Sequence, residues 1–175
     1  MLVKRIVCTV ESYQRESFHM AQMVWVALRT VEGFIVQLGG WDTSDASIAY
    51  IYSFWENRDR YENFMENMHD EIFGHSNQRA TYTTIKVELF EGKASGSAVN
   101  ERLRECSFIR TSINDCEEQP LINKKSDETL LFSDSTARTL LFTDNEAEGI
   151  PPWTIGETVE AFMVTEDWRV HRNDS

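Results

Sequence analysis

Ile48-Ala49-Tyr50-Ile51-Tyr52-Ser53-Phe54-Trp55 is the stretch on which the fold turns. In a strand, alternate residues point to opposite faces, and here both alternating sets are largely apolar. Such a strand sits in a sheet covered on both sides. Residues 34–38, Phe-Ile-Val-Gln-Leu, carry the same two-faced pattern. Through Glu56-Asn57 the run passes into a helix in which Tyr61, Phe64, Met65, Met68 and Ile72 fall at steps of three, one, three and four. Glu62, Glu66 and Asp70 face the other way, so residues 61–72 read as one amphipathic helix. Burying that stripe is worth on the order of 10 kcal/mol before entropy is counted against it.

Outward from this core, residues 3–10 are rich in β-branched side chains and read as a strand, followed by a helix over residues 15–31 that ends at Gly33. Residues 34–41 and 48–55 are strands joined by the turn-forming Asp42-Thr43-Ser44-Asp45. A last strand covers residues 82–90. The order βαββαβ predicts a ferredoxin-like α+β domain over residues 1–92, with two helices on one face of a four-stranded sheet. The other face then needs a cover, either a second copy in a homodimer or the C-terminal part of the same chain.

Residues 93–97, Lys-Ala-Ser-Gly-Ser, read as a linker, and residues 98–175 as a β-rich, helix-poor subdomain with strands at 106–113, 129–133, 139–143, 158–164 and 167–171. Thr129-Leu130-Leu131-Phe132-Ser133-Asp134 returns as Thr139-Leu140-Leu141-Phe142-Thr143-Asp144, the pattern of two hairpin arms. Ile150-Pro151-Pro152-Trp153 predicts an extended segment.

The 175 residues are 41% hydrophobic and 26% charged, as in a folded globular chain. Lys plus Arg number 17 against 29 Asp plus Glu, a net charge of -12 that argues against nucleic acid or anionic membrane as partners. Cys8, Cys106 and Cys116 are three, widely spaced, and without a CxxC pair, which favours free thiols and no structural zinc. No run is long and apolar enough for a membrane span and the N-terminus lacks a signal core, so a cytoplasmic location is expected. The phosphate-loop pattern GxxxxGK and the nucleophile elbow GxSxG are absent, leaving phosphoryl and acyl transfer unsupported. Asp42, Ser44 and Asp45 are more simply turn formers than cation ligands, and no cofactor or metal is expected.

The element order, the stretch Ala49 to Asn57 and the helix after it resemble the antibiotic biosynthesis monooxygenase-like family of dimeric α+β barrel proteins, over the N-terminal half. That resemblance implies a homodimer with sheets face to face and a pocket between each sheet and its helices. The family includes cofactor-independent monooxygenases of aromatic polyketides and haem-degrading enzymes. The haem-degrading members resemble one another in an Asn on the first strand, a Trp on the second helix and a ligating His beyond it. Here His75 stands near the place of that His, but residues 6–10 hold no Asn and Phe64 occupies the helix position.

His69 and His75 are the candidates for general base or ligand-positioning donor; alternatively His69 is a rim residue on the second helix and His75 caps or follows the helix end, where a cation suits the dipole. Residues 20–28 are apolar nearly all round a helix, which a buried helix explains without a ligand. The functional reading adds a cavity for a flat molecule walled by Phe18, Met23, Trp25, Trp41, Tyr50, Tyr52, Trp55 and Phe64. Two functions stay open: binding of a small aromatic or apolar ligand, extending to oxygenation without a tightly held cofactor, or a non-enzymatic dimeric ligand-sensing or scaffolding module whose acidic tail meets a partner.

Overall fold

A computed structural model of the chain describes residues 1–114, 129–136, 138–143 and 158–173. Cys116 and residues 150–153 lie outside these. The N-terminal half runs β1 (Leu2–Thr9), α1 (Arg15–Met23), β2 (Phe34–Asp42), β3 (Ile48–Trp55), α2 (Arg58–Asn67), α3 (His69–Ser76) and β4 (Thr84–Glu91). Then follow α4 (Gly96–Leu103), β5 (Phe108–Asn114), β6 (Thr129–Ser133), β7 (Thr139–Thr143), β8 (Thr158–Val164) and β9 (Val170–His171).

The strands pair in the order β3-β1-β4-β6-β7-β5-β8-β2, and β2 pairs again with β3, closing an eight-stranded antiparallel barrel. β9 extends along β2 at Val36 and Gln37. Both halves use one plan. β4-β1-β3-β2 is matched by β8-β5-β7-β6, and the two seams join β4 to β6 and β8 to β2. The ferredoxin-like expectation is therefore corrected. Residues 1–92 supply the expected element order, but as half of a barrel whose sheet runs on into β6 and β8. The face that called for a cover receives it from the same chain, so no second copy is needed to bury it.

The barrel interior holds the larger apolar core, beside a cavity of about 360 Å³ that Arg5, Val7, Ile113 and Glu160 help to line. Val3, Leu38, Tyr50, Tyr52, Phe54 and Phe90 from the first half meet Ile109, Phe132, Leu140 and Phe162 from the second. Tyr52 stacks on Phe162 with centroids 5.8 Å apart, and Phe54 meets Phe132 edge-on at 6.0 Å. Among these apolar groups lies Arg5, 3% exposed, which pairs with Glu88 and Glu160 and reaches the Tyr52 hydroxyl at 3.1 Å. Burial alone would lower the Arg5 pKa, but Tyr52, Glu160 and Glu88 around it hold the pKa above the ordinary arginine value.

Local details follow from residue chemistry. The repeated TLLF segments are the arms of the β6–β7 hairpin, Thr129 opposite Thr143 and Ser133 opposite Thr139. Its turn is held by Asp134, whose carboxylate accepts the Thr136 and Arg138 amides at 2.9 and 3.0 Å. Asp42 does the same between β2 and β3, accepting from the Ser44 and Asp45 amides at 2.7 Å. Asn57 caps α2 by accepting the Arg60 amide at 2.9 Å, which turns the chain from strand to helix at once.

Four expectations are revised. The helix over 15–31 is α-helical only to Met23 and tightens to a 3-10 form over Val24–Thr30, where β-branched Val24 and Val26 and terminal Thr30 are weaker helix formers. The helix over 61–72 breaks at Met68, where Asn67 bonds back to the Asn63 carbonyl at 2.8 Å; Met68 is left 39% exposed. The helix-poor C-terminal part contains α4, which starts within residues 93–97, is capped by Ser95 and buries Val99 and Leu103. Residues 167–171 form the 3-10 turn Glu166–Trp168 and the short β9 in place of one strand.

Candidate functional site

On the outer face of β1 to β4, under α1, α2, α3 and the 3-10 segment Val24–Thr30, the side chains leave a cavity of about 260 Å³. The sheet supplies its floor through Lys4, Gln37, Ser53, Trp55 and residues of like parity; the helices supply Trp25, Tyr61, Phe64 and His69. Ile85 and Val87 on β4 also line it, yet are 43% and 48% exposed, so the cavity is open on that side.

Its walls are flat rings. Trp55 stacks on Phe64 at 4.8 Å and meets Tyr61 edge-on at 5.7 Å. His69 stacks on Phe73 at 5.6 Å, with Trp25 5.7 Å away. The indole N–H of Trp25 donates to Gln78 at 2.8 Å, and that of Trp55 donates to Ser53 at 3.2 Å, fixing both rings. His69 Nδ1 and the Asp70 carboxylate are 2.9 Å apart.

The polar content of this wall is unusual. Gln22 and Gln37 are 1% and 4% exposed, and the side-chain N–H₂ of each is buried with no partner among the described residues. Buried donors of this kind are rare in folded proteins and cost about 1–3 kcal/mol each. Lys4 also lines the cavity, and no described carboxylate pairs with it; its ammonium lies 5.6 Å from the Tyr61 ring centre. Burial lowers the Lys4 pKa to about 8.

A charged Lys4 is therefore expected to cost stability at neutral pH. Lys4→Met should stabilise the chain by about 1–3 kcal/mol at pH 7, read from urea denaturation. The folded pKa lies below the unfolded value of 10.5, so the penalty is complete below pH 8 and fades as pH rises from 8 to 10.5. A gain that persists undiminished at pH 10.5 would show that charge is not its source.

Of the residues expected to form the site, the structure brings Trp25, Trp55, Phe64 and His69 together on this cavity. Tyr50 and Tyr52 lie on the opposite face of β3, inside the barrel, where burial pushes both phenols above the ordinary tyrosine range. Phe18 and Trp41 pack in a neighbouring cluster around Trp168, with centroids 5.6 and 5.4 Å from it. Met23 is 39% exposed, and His75 is exposed on α3 away from the cavity. Cys8 is a buried thiol whose pKa burial pushes up to about 12. Lys4, Gln22 and Gln37 went unrecognised in the sequence. Among the described residues no trio of His, Cys, Asp or Glu is arranged to hold a metal ion, and no helix is long and apolar enough to cross a membrane.

A family model described as a domain of unknown function, DUF4937, matches residues 2–90, which contain every residue of the cavity wall. Over 93 residues the chain is 44% identical to the uncharacterised protein YdbC of Bacillus subtilis (strain 168), covering 52% of this chain and 78% of that protein. A solved structure of a candidate monooxygenase from Fusobacterium nucleatum is similar over 99% of this chain and 95% of its own, with a TM-score of 0.67 at 11% identity. Another, from Lactobacillus acidophilus NCFM, gives 0.61 at 12% identity over 98% and 96%. At these identities the likeness is one of fold, and it extends through the C-terminal half.

Proposed function

Since the chain belongs to the DUF4937 family, and the matched segment carries the whole cavity wall, we propose that it binds a small, flat, largely apolar molecule in that cavity. The observation that carries this reading is the pairing of ring walls with two buried amide donors, Gln22 and Gln37, that have no partner among the described residues. Ring walls supply contact area and the amides orient whatever acceptor the ligand presents.

The reading extends to oxygenation of the bound molecule without a tightly held cofactor, in keeping with the monooxygenase names of the two fold neighbours. Anthrone is a suitable probe, since a third fold neighbour is an anthrone oxidase-like protein. Oxidation of anthrone by one O₂ gives anthraquinone and water: the methylene loses two hydrogens and gains one oxygen, and the second oxygen leaves as water. Tryptophan quenching by anthrone should be saturable, and Trp25→Ala should weaken it by about tenfold or more. Oxygen uptake matching anthraquinone formed would support the oxygenase extension. Binding without uptake would favour the ligand-sensing module, and absence of binding by anthrone and by neutral and acidic naphthalene probes alike would overturn the reading.

A further inference from the structure

Resting on that reading, we infer that the ligand of this cavity is a flat apolar carboxylic acid, bound as its carboxylate against Lys4 with Gln22 and Gln37 as accessory donors. Among the described residues, the cavity wall has one ammonium group, two buried amide N–H₂ groups without partners, and no carboxylate. Two acceptors of the wall, Ser53 Oγ and Gln78 Oε1, already take the indole N–H groups of Trp55 and Trp25. Beside the side-chain oxygens of Gln22 and Gln37, the rest of the polar wall is weighted towards donors and a cation. A neutral hydrocarbon would fill the space and displace water from the half-buried Lys4 ammonium while giving neither it nor the two amides a hydrogen-bond acceptor, which is costly. A carboxylate supplies two oxygens, enough for an ammonium and amide donors together.

This local balance runs against the protein as a whole, whose net charge is -12. A half-buried lysine that pairs with no carboxylate among the described residues runs counter to the general electrostatic trend of this acidic chain. The other titratable side chains lining the cavity are Tyr61, His69 and Tyr82. Burial holds both tyrosines above their ordinary range, so they remain neutral near pH 8, and His69 is paired with Asp70.

The test uses two probes with one ring system, 2-naphthoate and naphthalene-2-carboxamide, titrated calorimetrically into the full chain at pH 7. Wild type should prefer the naphthoate by about tenfold or more. Lys4→Met should lose the preference and keep its affinity for the carboxamide; Lys4→Arg should retain the preference, which guards against a merely structural effect. In wild type the preference should fade above pH 8 as Lys4 loses its proton. Equal affinities in wild type, or a preference that survives Lys4→Met, would overturn the inference while the cavity reading stands. Failure of both probes to bind would overturn the inference, and with anthrone unbound as well would remove that reading too.

Discussion

Arg5→Met is expected to lower the stability of the chain by about 3–5 kcal/mol, because it strips the central cation from two carboxylates inside the barrel. Glu88 and Glu160 are 8% and 6% exposed, and Arg5 pairs with both. Glu88 keeps Lys86 and Arg138 as further partners at 3.0 and 2.7 Å, whereas Glu160 retains the Tyr52 and Thr111 hydroxyls at 3.1 and 3.2 Å. Glu160 is thus the more exposed to loss, and Arg5→Met/Glu160→Met should recover much of the stability by replacing a buried charge cluster with apolar contacts. Urea denaturation measures both; a loss below about 1 kcal/mol in the single variant would show that the cluster does not bind the two halves. Burial opposes ionisation of Glu88, but Lys86, Arg138 and Arg5 lower its pKa below 4.5. Its contribution is therefore present above the ordinary glutamate pKa and is lost as pH falls through the lower folded value, a decline that Arg5→Met should weaken.

Gly40→Val should be at least as damaging, and at the other seam. A Cβ built on Gly40 would lie 1.9 Å from the Met163 carbonyl oxygen, on backbone that cannot step aside without parting β2 from β8. Gly40, Trp41 and Asp42 make the only β2–β8 pairs among the described residues, so a side chain at position 40 opens the closure that covers Tyr50, Tyr52 and Phe54. The expected result is a loss of more than about 4 kcal/mol with exposed apolar surface that binds a hydrophobic dye. Gly74→Ala is the control: nothing lies within 4 Å of the added Cβ, and within α3 it should stabilise by up to about 1 kcal/mol. A Gly40→Val protein that folds and melts like wild type would contradict closure of the barrel within one chain.

The two-faced character of β3 was legible because burial on both sides leaves no polar set in the sequence, and the TLLF repeat was legible because hairpin arms share one environment. What covers the inner face was not, since apolar side chains do not distinguish a second copy from a distant part of the same chain. The break at Met68 was hidden because side-chain spacing across 61–72 remains helical while the local Asn-to-backbone bond ends the helix.

At the site, strand parity already separated two groups that a list of aromatics joins. Tyr50 and Tyr52 have the opposite parity to Trp55 and cannot share its cavity, and the structure places them inside the barrel. His75 follows His69 by six residues, about a third of a turn away round a helix, and accordingly faces solvent. Gln22 and Gln37 left a faint signal, each a lone amide inside an apolar run. Lys4 left none, because a lysine in an N-terminal strand reads as a solvent-facing residue until the helices above it are in place.

Selective labelling of the tryptophan indoles gives the most direct test that this cavity is the binding site. Trp25 and Trp55 line it, while Trp41 and Trp168 pack together in the adjoining cluster. On titration with 2-naphthoate, the indole N–H signals of Trp25 and Trp55 should shift saturably and together, with those of Trp41 and Trp168 nearly still. Shifts confined to Trp41 and Trp168, or no shift at Trp25 and Trp55 at saturating probe, would contradict a ligand site between the sheet and its helices.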